Sequence, residues 1–222
     1  MTQLEAIQAR HSVRTYLNKP LKPDELAALR SEMETCNRES GLHIQLVVNE
    51  PRAFEGAMAR YGKFSGVTNY FALVGKAGPD LQEKCGYWGE RLVLKAQMMG
   101  LNTCWVALTF SKVKSAYTLD DGEKLAAVIS LGHGATQGVP HRSRTMEEVA
   151  TADGPMPDWF KAGMEAVLLA PTAVNQQKFT FNLRSDGRVS AQPGHAFYAK
   201  MDLGIAKYHF EIGAGKENFQ WA

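Results

Sequence analysis

The strongest constraint on the fold is a buried-strand pattern followed by one long helix pattern. Residues 70–74 form an uninterrupted apolar run, which is typical of a strand covered on both faces. Residues 81–99 then repeat apolar side chains with helical spacing, and Gly100 suits the end of such a helix. Both segments belong to an alternation of helices and strands that continues along the chain.

Further elements are predicted on either side of this pair. Helices are expected over residues 4–9, from Pro23 to about Met33, from Pro157 to about Leu169, and near the C-terminus. Strands are expected over residues 44–48, 103–108 and 126–131 and through 179–181, with a glycine-rich loop over 132–140.

Composition limits the classes of protein that fit. The chain has 222 residues, 45% of them hydrophobic, which is enough for one large domain or two fused small ones. A formal net charge of +2 gives no overall reason to expect nucleic acid or a membrane as partner, so any basic site must be local.

Cysteine usage and hydropathy point to the cytoplasm. Cys36, Cys85 and Cys104 form no CxxC pair, so we expect free thiols, mostly in the core, in a reducing compartment. The first residues are too polar for a signal peptide, and no apolar run approaches the length of a membrane span.

A local basic site is predicted near the N-terminus. In an extended backbone Arg10, Ser12 and Arg14 project to one side, whereas His11 and Val13 point to the other. Two guanidinium groups and a hydroxyl can bind one compact anion such as phosphate. A solvated basic turn is the competing interpretation of these residues.

Two later segments offer further ligand-binding groups. Residues 170–177 read Ala-Pro-Thr-Ala-Val-Asn-Gln-Gln, a polar turn whose amides both donate and accept hydrogen bonds and so suit the edge of a neutral heterocycle. Arg142 and Arg144 form a second basic pair two residues apart. A plain polar loop and an exposed basic linker are the alternatives. Together with the anion clamp, the segments predict a phosphorylated cofactor with a planar ring.

The first and last parts of the chain repeat the same order of residues. Pro23-Asp24 and Pro157-Asp158 each begin a helix that is followed about twenty residues later by a strand. Gly89 and Gly100 precede Trp105 as Gly204 and Gly215 precede Trp221, with eleven residues between the glycines of each pair. The order predicts an internal duplication with a shortened second copy. Chance is the alternative, since these residue types are common.

Several of these segments resemble the FMN-dependent nitroreductase superfamily. Residues 10–14 are similar to its RxSxR signature, residues 170–177 to its APSxxNxQ segment, and residues 100–105 to its GLGSCW strand. Residues 142–149 are similar to its paired basic residues and the helix start after them. The resemblance implies an α+β nitroreductase-like fold, with a central, mostly antiparallel sheet flanked by helices.

One motif is displaced relative to the common homodimeric members. There the APSxxN loop would fall near residues 35–42, but this chain carries it in the second copy. The resemblance therefore implies the single-chain, internally duplicated branch, with residues 1–145 as a first half carrying the clamp and 146–222 as a shortened half carrying the loop. Such a pseudo-dimer would build one FMN site as one compact unit. A monomer fits this arrangement, and a homodimer is not excluded.

The resemblance also implies roles for individual residues. Arg10, Ser12, Arg14, Arg144 and Arg142 would hold the phosphate and ribityl chain, with His11 contributing backbone, and Lys63 would stabilise negative charge at the pyrimidine edge. The isoalloxazine would be lined by Pro171, Thr172, Ala173, Asn175 and Gln177. The turn at residues 106–108 would face flavin N5, although the family's Pro-x-Glu-Gly element is absent there.

The implied activity is transfer of electrons from NADH or NADPH, through flavin N5, to a nitroaromatic, a quinone or a similar acceptor in a ping-pong cycle. The resemblance implies small-molecule substrates and no catalytic side chain, because the cofactor carries the chemistry. No metal is predicted, because the six histidines show no ligand spacing. His209 is expected to be packed or to line a pocket. The alternatives are a non-catalytic flavin-binding or flavin-shuttling protein and, with less support, a phosphate-ester hydrolase or transferase.

Overall fold

The computed structural model describes every residue from Met1 to Ala222. Its elements are α1 Gln3–Ala9, α2 Pro23–Ser40, β1 Gln45–Val47, α3 Ala57–Tyr61, β2 Asn69–Lys76, α4 Leu81–Met98, β3 Asn102–Val106, β4 Glu123–Gly132, α5 Met146–Val149, β5 Ala150–Ala152, α6 Asp158–Val167, β6 Phe179–Leu183, β7 Val189–Pro193 and α7 Ala199–Ala214. Short 3-10 turns occupy Arg52–Phe54, Ala173–Asn175 and Lys216–Asn218. None of the helices combines the length and apolarity that crossing a bilayer demands.

The chain divides into two compact units. The central unit consists of Arg10–Leu81 and Arg91–Pro140, and the C-terminal unit consists of Met1–Ala9, Gln82–Glu90 and His141–Ala222. Each unit combines segments that are far apart in the chain: α1 and the first half of α4 pack with the C-terminal residues. The division of the sequence into halves at residues 145 and 146 stays a prediction about duplication.

The central unit is built on an antiparallel sheet in the order β1-β2-β4-β3. Every residue of β2 except Lys76 is buried, as its apolar run predicts. Opposite β4, Phe71 pairs with Ile129, and opposite β1 it pairs with Leu46. Phe54 packs edge-on against Phe64 with 5.2 Å between ring centroids, which closes the core beside the sheet.

The C-terminal unit has its own sheet, in which β5 runs parallel and β7 antiparallel to the middle strand β6. Its core is aromatic: Phe210 of α7 lies 5.6 Å from Phe160 of α6 and 5.3 Å from Phe181 of β6, measured between ring centroids. Phe219 and Trp221, after α7, contact the same Phe210 ring. The N-terminal end of α7 lies near the turn that precedes β6, because Asp202 accepts a hydrogen bond from the Ala173 amide at 3.0 Å.

Two glycines let α4 and α7 cross at backbone contact in the C-terminal unit. A Cβ added at Gly204 would lie 2.0 Å from the Glu83 carbonyl oxygen, and one added at Gly86 would lie 2.0 Å from the Met201 carbonyl oxygen. Gly86 and Glu83 are three residues apart, as are Gly204 and Met201, so the two contacts are reciprocal. The crossing thus pairs Gly204 with Gly86.

We expect Gly204→Ala to lower the free energy of unfolding by about 2–3 kcal/mol, because the new methyl group would meet backbone that has no rotamer to change. Gly154→Ala is the matched control, since a Cβ there meets nothing within 4 Å. Urea denaturation of both variants measures the difference. Equal midpoints for the two variants would show that the helices do not cross at this contact.

Most predicted elements are present, but one boundary differs in a way that matters for the site. Helix α2 runs to Ser40, and Gly41 ends it with a φ of 71°. At the position near residues 35–42 where the common homodimeric members would carry the APSxxN loop, residues 35–40 of this chain are therefore helical and not a loop. The reason is tertiary: Cys36 is buried, and Arg91 of α4 binds both Glu32 and Glu39 along this part of the helix.

Candidate functional site

The predicted clamp lies in the central unit, on an extended segment beside β3. The Val13 amide donates to the Thr103 carbonyl at 3.0 Å, and the Ser65 amide donates to the Arg14 carbonyl at 2.9 Å. Tyr16 anchors the segment, because its buried hydroxyl donates to the Val13 carbonyl at 2.8 Å. Val13 points into the core while Arg14 is exposed, which is the alternation expected of an extended backbone.

All three clamp side chains act on one thiol. Burial raises the pKa of Cys104, and Arg14, Ser12 and Arg10 act in the opposite direction, the arginines through charge and the serine through a hydrogen bond. Arg10 is buried, whereas the Arg14 guanidinium lies over the Phe64 ring, 5.9 Å from its centroid. The clamp is therefore a cluster with one exposed guanidinium.

Two further predicted residues lie in the same part of the central unit. Lys63 is exposed and adopts a left-handed φ of 60° immediately before Phe64, the residue beneath Arg14. His11 lies within the clamp segment, and partial burial together with the charge of Arg10 lowers its pKa. His11 is thus uncharged at neutral pH and adds no cation to the cluster.

The second basic pair and the polar turn meet in the C-terminal unit. The Arg144 amide donates to Gln177 Oε1 at 2.8 Å, and Gln177 Nε2 donates to the Arg142 carbonyl at 3.0 Å. Asn175 Nδ2 donates to the same Arg142 carbonyl at 2.9 Å. These bonds fix the backbone of the basic pair to the turn, while the side chains of Arg142 and Arg144 are exposed.

Most of the side chains predicted to line a flavin ring instead hold the turn together. Gln177 is buried and Asn175 binds the Arg142 carbonyl, so their amides build the turn. Thr172 Oγ1 accepts a hydrogen bond from the Gln177 amide at 3.1 Å, and Pro171 is buried. The exposed face of the turn is provided by Val174, whose side chain is 96% exposed.

Sequence reasoning assigned no role to two residues that shape this turn, one at its apex and one beneath it on α7. Val174 sits at its apex with a φ of 46°, and Asp202, three residues into α7, lies buried beneath it. Asp202 Oδ1 accepts from the Ala173 amide at 3.0 Å, and Oδ2 accepts from Gln176 Nε2 at 2.6 Å. An aspartate among the apolar residues of a helix was the available signal for it, whereas nothing in the sequence marks Val174.

The other titratable groups provide no reactive nucleophile. Burial raises the pKa of Cys36 and of Cys85 to about 12, so both thiols stay protonated at neutral pH. All three cysteines are free and buried, as predicted. His209 is packed in the C-terminal unit, fully buried, and binds Glu90 with 3.0 Å between Nε2 and Oε1.

One group of potential metal ligands forms in the central unit. Ligand atoms of His43, Asp120 and Glu123 lie within 4.8 Å of one another. Glu123 Oε2 lies 2.9 Å from His43 Nδ1 and accepts the Asp120 amide at 2.8 Å. These contacts explain the group as a hydrogen-bonded cluster that closes the turn before β4. The turn at residues 106–108, expected near flavin N5, has Val106 buried and Leu108 67% exposed.

Comparison with solved structures identifies the fold. A structure described as a "putative nitroreductase" from Thermotoga maritima has a TM-score of 0.65 at 19% identity, covering 98% of this chain and 85% of that one. A further "putative nitroreductase", from Desulfovibrio desulfuricans and in complex with FMN, has a TM-score of 0.54 at 17% identity, covering 71% of this chain and 99% of that one. A nitroreductase family protein from Streptococcus pneumoniae has a TM-score of 0.53 at 15% identity, covering 67% and 98%.

These similarities and the antiparallel sheet with flanking helices define an α+β protein with the nitroreductase fold. No match was found among curated protein sequences. A sequence model described as "Putative TM nitroreductase" matches residues 2–214. The chain belongs to that family of nitroreductase-like oxidoreductases, which confirms the resemblance inferred from the motifs.

Proposed function

We propose that the protein is an FMN-dependent oxidoreductase that passes electrons from NADH or NADPH to a nitroaromatic, a quinone or a similar small acceptor. The observation that carries this proposal is the extended segment of Arg10, Ser12 and Arg14 beside β3, with the Arg14 guanidinium exposed over Phe64, in a chain of this family. The relative from Desulfovibrio desulfuricans, solved with FMN, supports a flavin as the cofactor. The free, buried thiols are consistent with work in the cytoplasm.

The clamp has the donor set that a phosphate monoester requires. The exposed guanidinium of Arg14 can form two parallel charge-assisted hydrogen bonds, and the Ser12 hydroxyl can add a third. Arg10, buried beside them, adds positive potential where few water molecules screen it. The exposed Lys63, next to Phe64, adds a second exposed cation to this region and is proposed for the pyrimidine edge.

The turn of the C-terminal unit has the groups that a flavin ring requires. Its apex carries the exposed apolar side chain of Val174, and Ala173 and Thr172 lie beside it with intermediate exposure. The exposed guanidinium groups of Arg142 and Arg144 stand on the backbone that Gln177 fixes. We propose this turn as the ring-binding element and the basic pair as a further set of anion ligands.

When bound, FMN would supply hydride acceptance and transfer at its N5 position. The residues of the chain would then bind and orient the FMN and stabilise its charge, and none of them would react. Arginines at the clamp would hold the phosphate, and Lys63 would favour the anionic form of the reduced pyrimidine. No side chain is required as nucleophile or proton donor, in keeping with the high pKa values of the buried thiols.

The stoichiometry of flavin binding tests the proposal. We expect purified or reconstituted protein to carry one FMN per chain, as the single clamp motif in the sequence predicts. Flavin released by heat and quantified by absorbance, divided by protein concentration, measures the ratio. Two FMN per chain would contradict the one-site hypothesis, and a colourless protein that resists reconstitution would remove the flavin proposal. Steady-state oxidation of NADH or NADPH with a quinone then distinguishes an enzyme from a flavin carrier.

A further inference from the structure

The turn over residues 172–177 holds an unusual backbone conformation. Val174, Asn175 and Gln177 have φ angles of 46°, 55° and 47°, in the left-handed region. For residues with a Cβ such angles are unfavourable, and a β-branched valine is a particular outlier there. A conformation of this kind persists when surrounding contacts enforce it, and it is concentrated at functional sites. The contacts that enforce this one are therefore informative.

Hydrogen bonds from outside the turn hold it on two sides. On one side Gln177 and Asn175 bind the backbone of Arg142 and Arg144. On the other side the accepting side chain is Asp202 of α7, and the Phe197 carbonyl also accepts from Gln176 Nε2, at 3.0 Å. The two oxygens of Asp202 take one donor each, the Ala173 amide at 3.0 Å and Gln176 Nε2 at 2.6 Å.

Burying the carboxyl group of Asp202 is energetically unfavourable. Asp202 is 3% exposed, and burial raises its pKa to about 6 against the opposing effect of its two hydrogen bonds. Both of those bonds end on the turn, one at each side of Val174, whose side chain is 96% exposed. The two hydrogen bonds of the carboxyl group thus fix the direction in which the Val174 side chain faces solvent.

We propose that Asp202 is a positioning residue, which holds the 172–177 turn in the left-handed conformation that presents Val174 to the flavin ring. This inference rests on the proposed function, since the turn is the ring-binding element. Asp202 itself does not contact the cofactor. Its effect reaches the flavin through the Ala173 amide and the Gln176 side chain.

Two substitutions separate this role from a general effect on stability. Asp202→Ala removes both acceptors. Asp202→Asn retains an acceptor for the Ala173 amide, and its amide nitrogen can donate to Gln176 once that side chain turns its oxygen inward. Asp158→Ala is the control, since the Asp158 side chain is fully exposed on α6 of the same unit. All three are made in the full chain and checked for folding by far-UV circular dichroism.

The first measurement uses the protein without flavin. Hydrogen exchange at the Ala173 backbone amide is expected to accelerate at least about tenfold in Asp202→Ala, which corresponds to loss of a charge-assisted hydrogen bond, and to stay near wild type in Asp202→Asn. The second measurement is titration with FMN and with riboflavin. Asp202→Ala is expected to weaken both by about tenfold, because the ring and not the phosphate loses its support.

A third measurement compares proteins saturated with FMN. The visible circular dichroism of the bound flavin is expected to decrease in Asp202→Ala and to persist in Asp202→Asn and Asp158→Ala, a change that altered stability alone would not produce. If Asp202→Ala binds both flavins as wild type does, the positioning role is overturned and the proposed function stands. If wild type binds neither flavin, the proposed function fails, and this inference fails with it.

Discussion

Arg14→Ala is expected to raise the dissociation constant for FMN by about 10- to 150-fold, the equivalent of one lost charge-assisted contact to phosphate. Arg14 is the exposed guanidinium of the clamp, so it is the arginine that a ligand reaches from solvent. The effect should depend on the phosphate. Riboflavin lacks that group, so its affinity should change by less than about threefold. Fluorescence titration of the flavin-free protein measures both constants.

Two further variants sharpen this prediction. Arg14→Lys keeps the charge and loses the planar fork, and we expect an intermediate loss of FMN affinity. Arg30→Ala, which removes an exposed arginine from α2 in the same unit, should leave both flavins bound as in wild type. An Arg14→Ala protein that binds both FMN and riboflavin with the wild-type dissociation constants would place the phosphate elsewhere. Lost affinity for both flavins alike would point to local unfolding around Phe64.

Glu90→Ala is expected to lower the free energy of unfolding by about 3–5 kcal/mol, because it leaves a fully buried histidine without its partner. His209 Nδ1 lies 2.9 Å from the Ala166 carbonyl oxygen, which can only accept, so Nδ1 carries a proton. The contact between Nε2 and Glu90 Oε1 then holds one further proton, and the pair has no net charge whichever residue carries it. Both side chains are fully buried.

This account makes Glu90→Gln the decisive comparison. The glutamine amide can donate to the neutral Nε2, so the hydrogen bond is kept without any ionised group, and we expect a loss of about 1–2 kcal/mol. Glu165→Ala, an exposed glutamate on α6, should change stability by less than about 0.5 kcal/mol. Urea midpoints with unchanged slopes give these values. Similar losses for Glu90→Ala and Glu90→Gln would show that volume, and not the proton in the pair, stabilises this core.

The sequence predicted elements best where one local pattern decides them. The apolar run at 70–74 became the centre of β2, and the helix predicted over 81–99 is α4 from Leu81 to Met98. Prediction of α2 was short by seven residues, because Thr35 to Ser40 are polar and their helix is held by Arg91 and by burial of Cys36. The strands β5 and β7 were not predicted, since short strands with mixed polarity carry little local signal.

In the candidate site, too, the sequence predicted the features that depend on neighbouring residues and not those that depend on distant contacts. An extended backbone and its alternation follow from residues 10–14 alone, and so does the donor chemistry of the clamp. The roles of Asn175 and Gln177 did not follow, because an amide that could bind a ring can equally bind the backbone of residues 142–144. Asp202 lies 29 residues from the Ala173 amide that it accepts, so local pattern had no means of pairing them.

By itself, the sequence determined the family, the strand and helix at the centre of the fold, and a basic segment suited to phosphate. Those properties depend on residue type and on spacing within a few positions. The tertiary structure decided that Arg14 is the exposed clamp arginine, that Gln177 builds the turn, and that Asp202 lies beneath it. Such facts depend on burial and on contacts between residues far apart in the chain, which are set only when the helices and sheets pack.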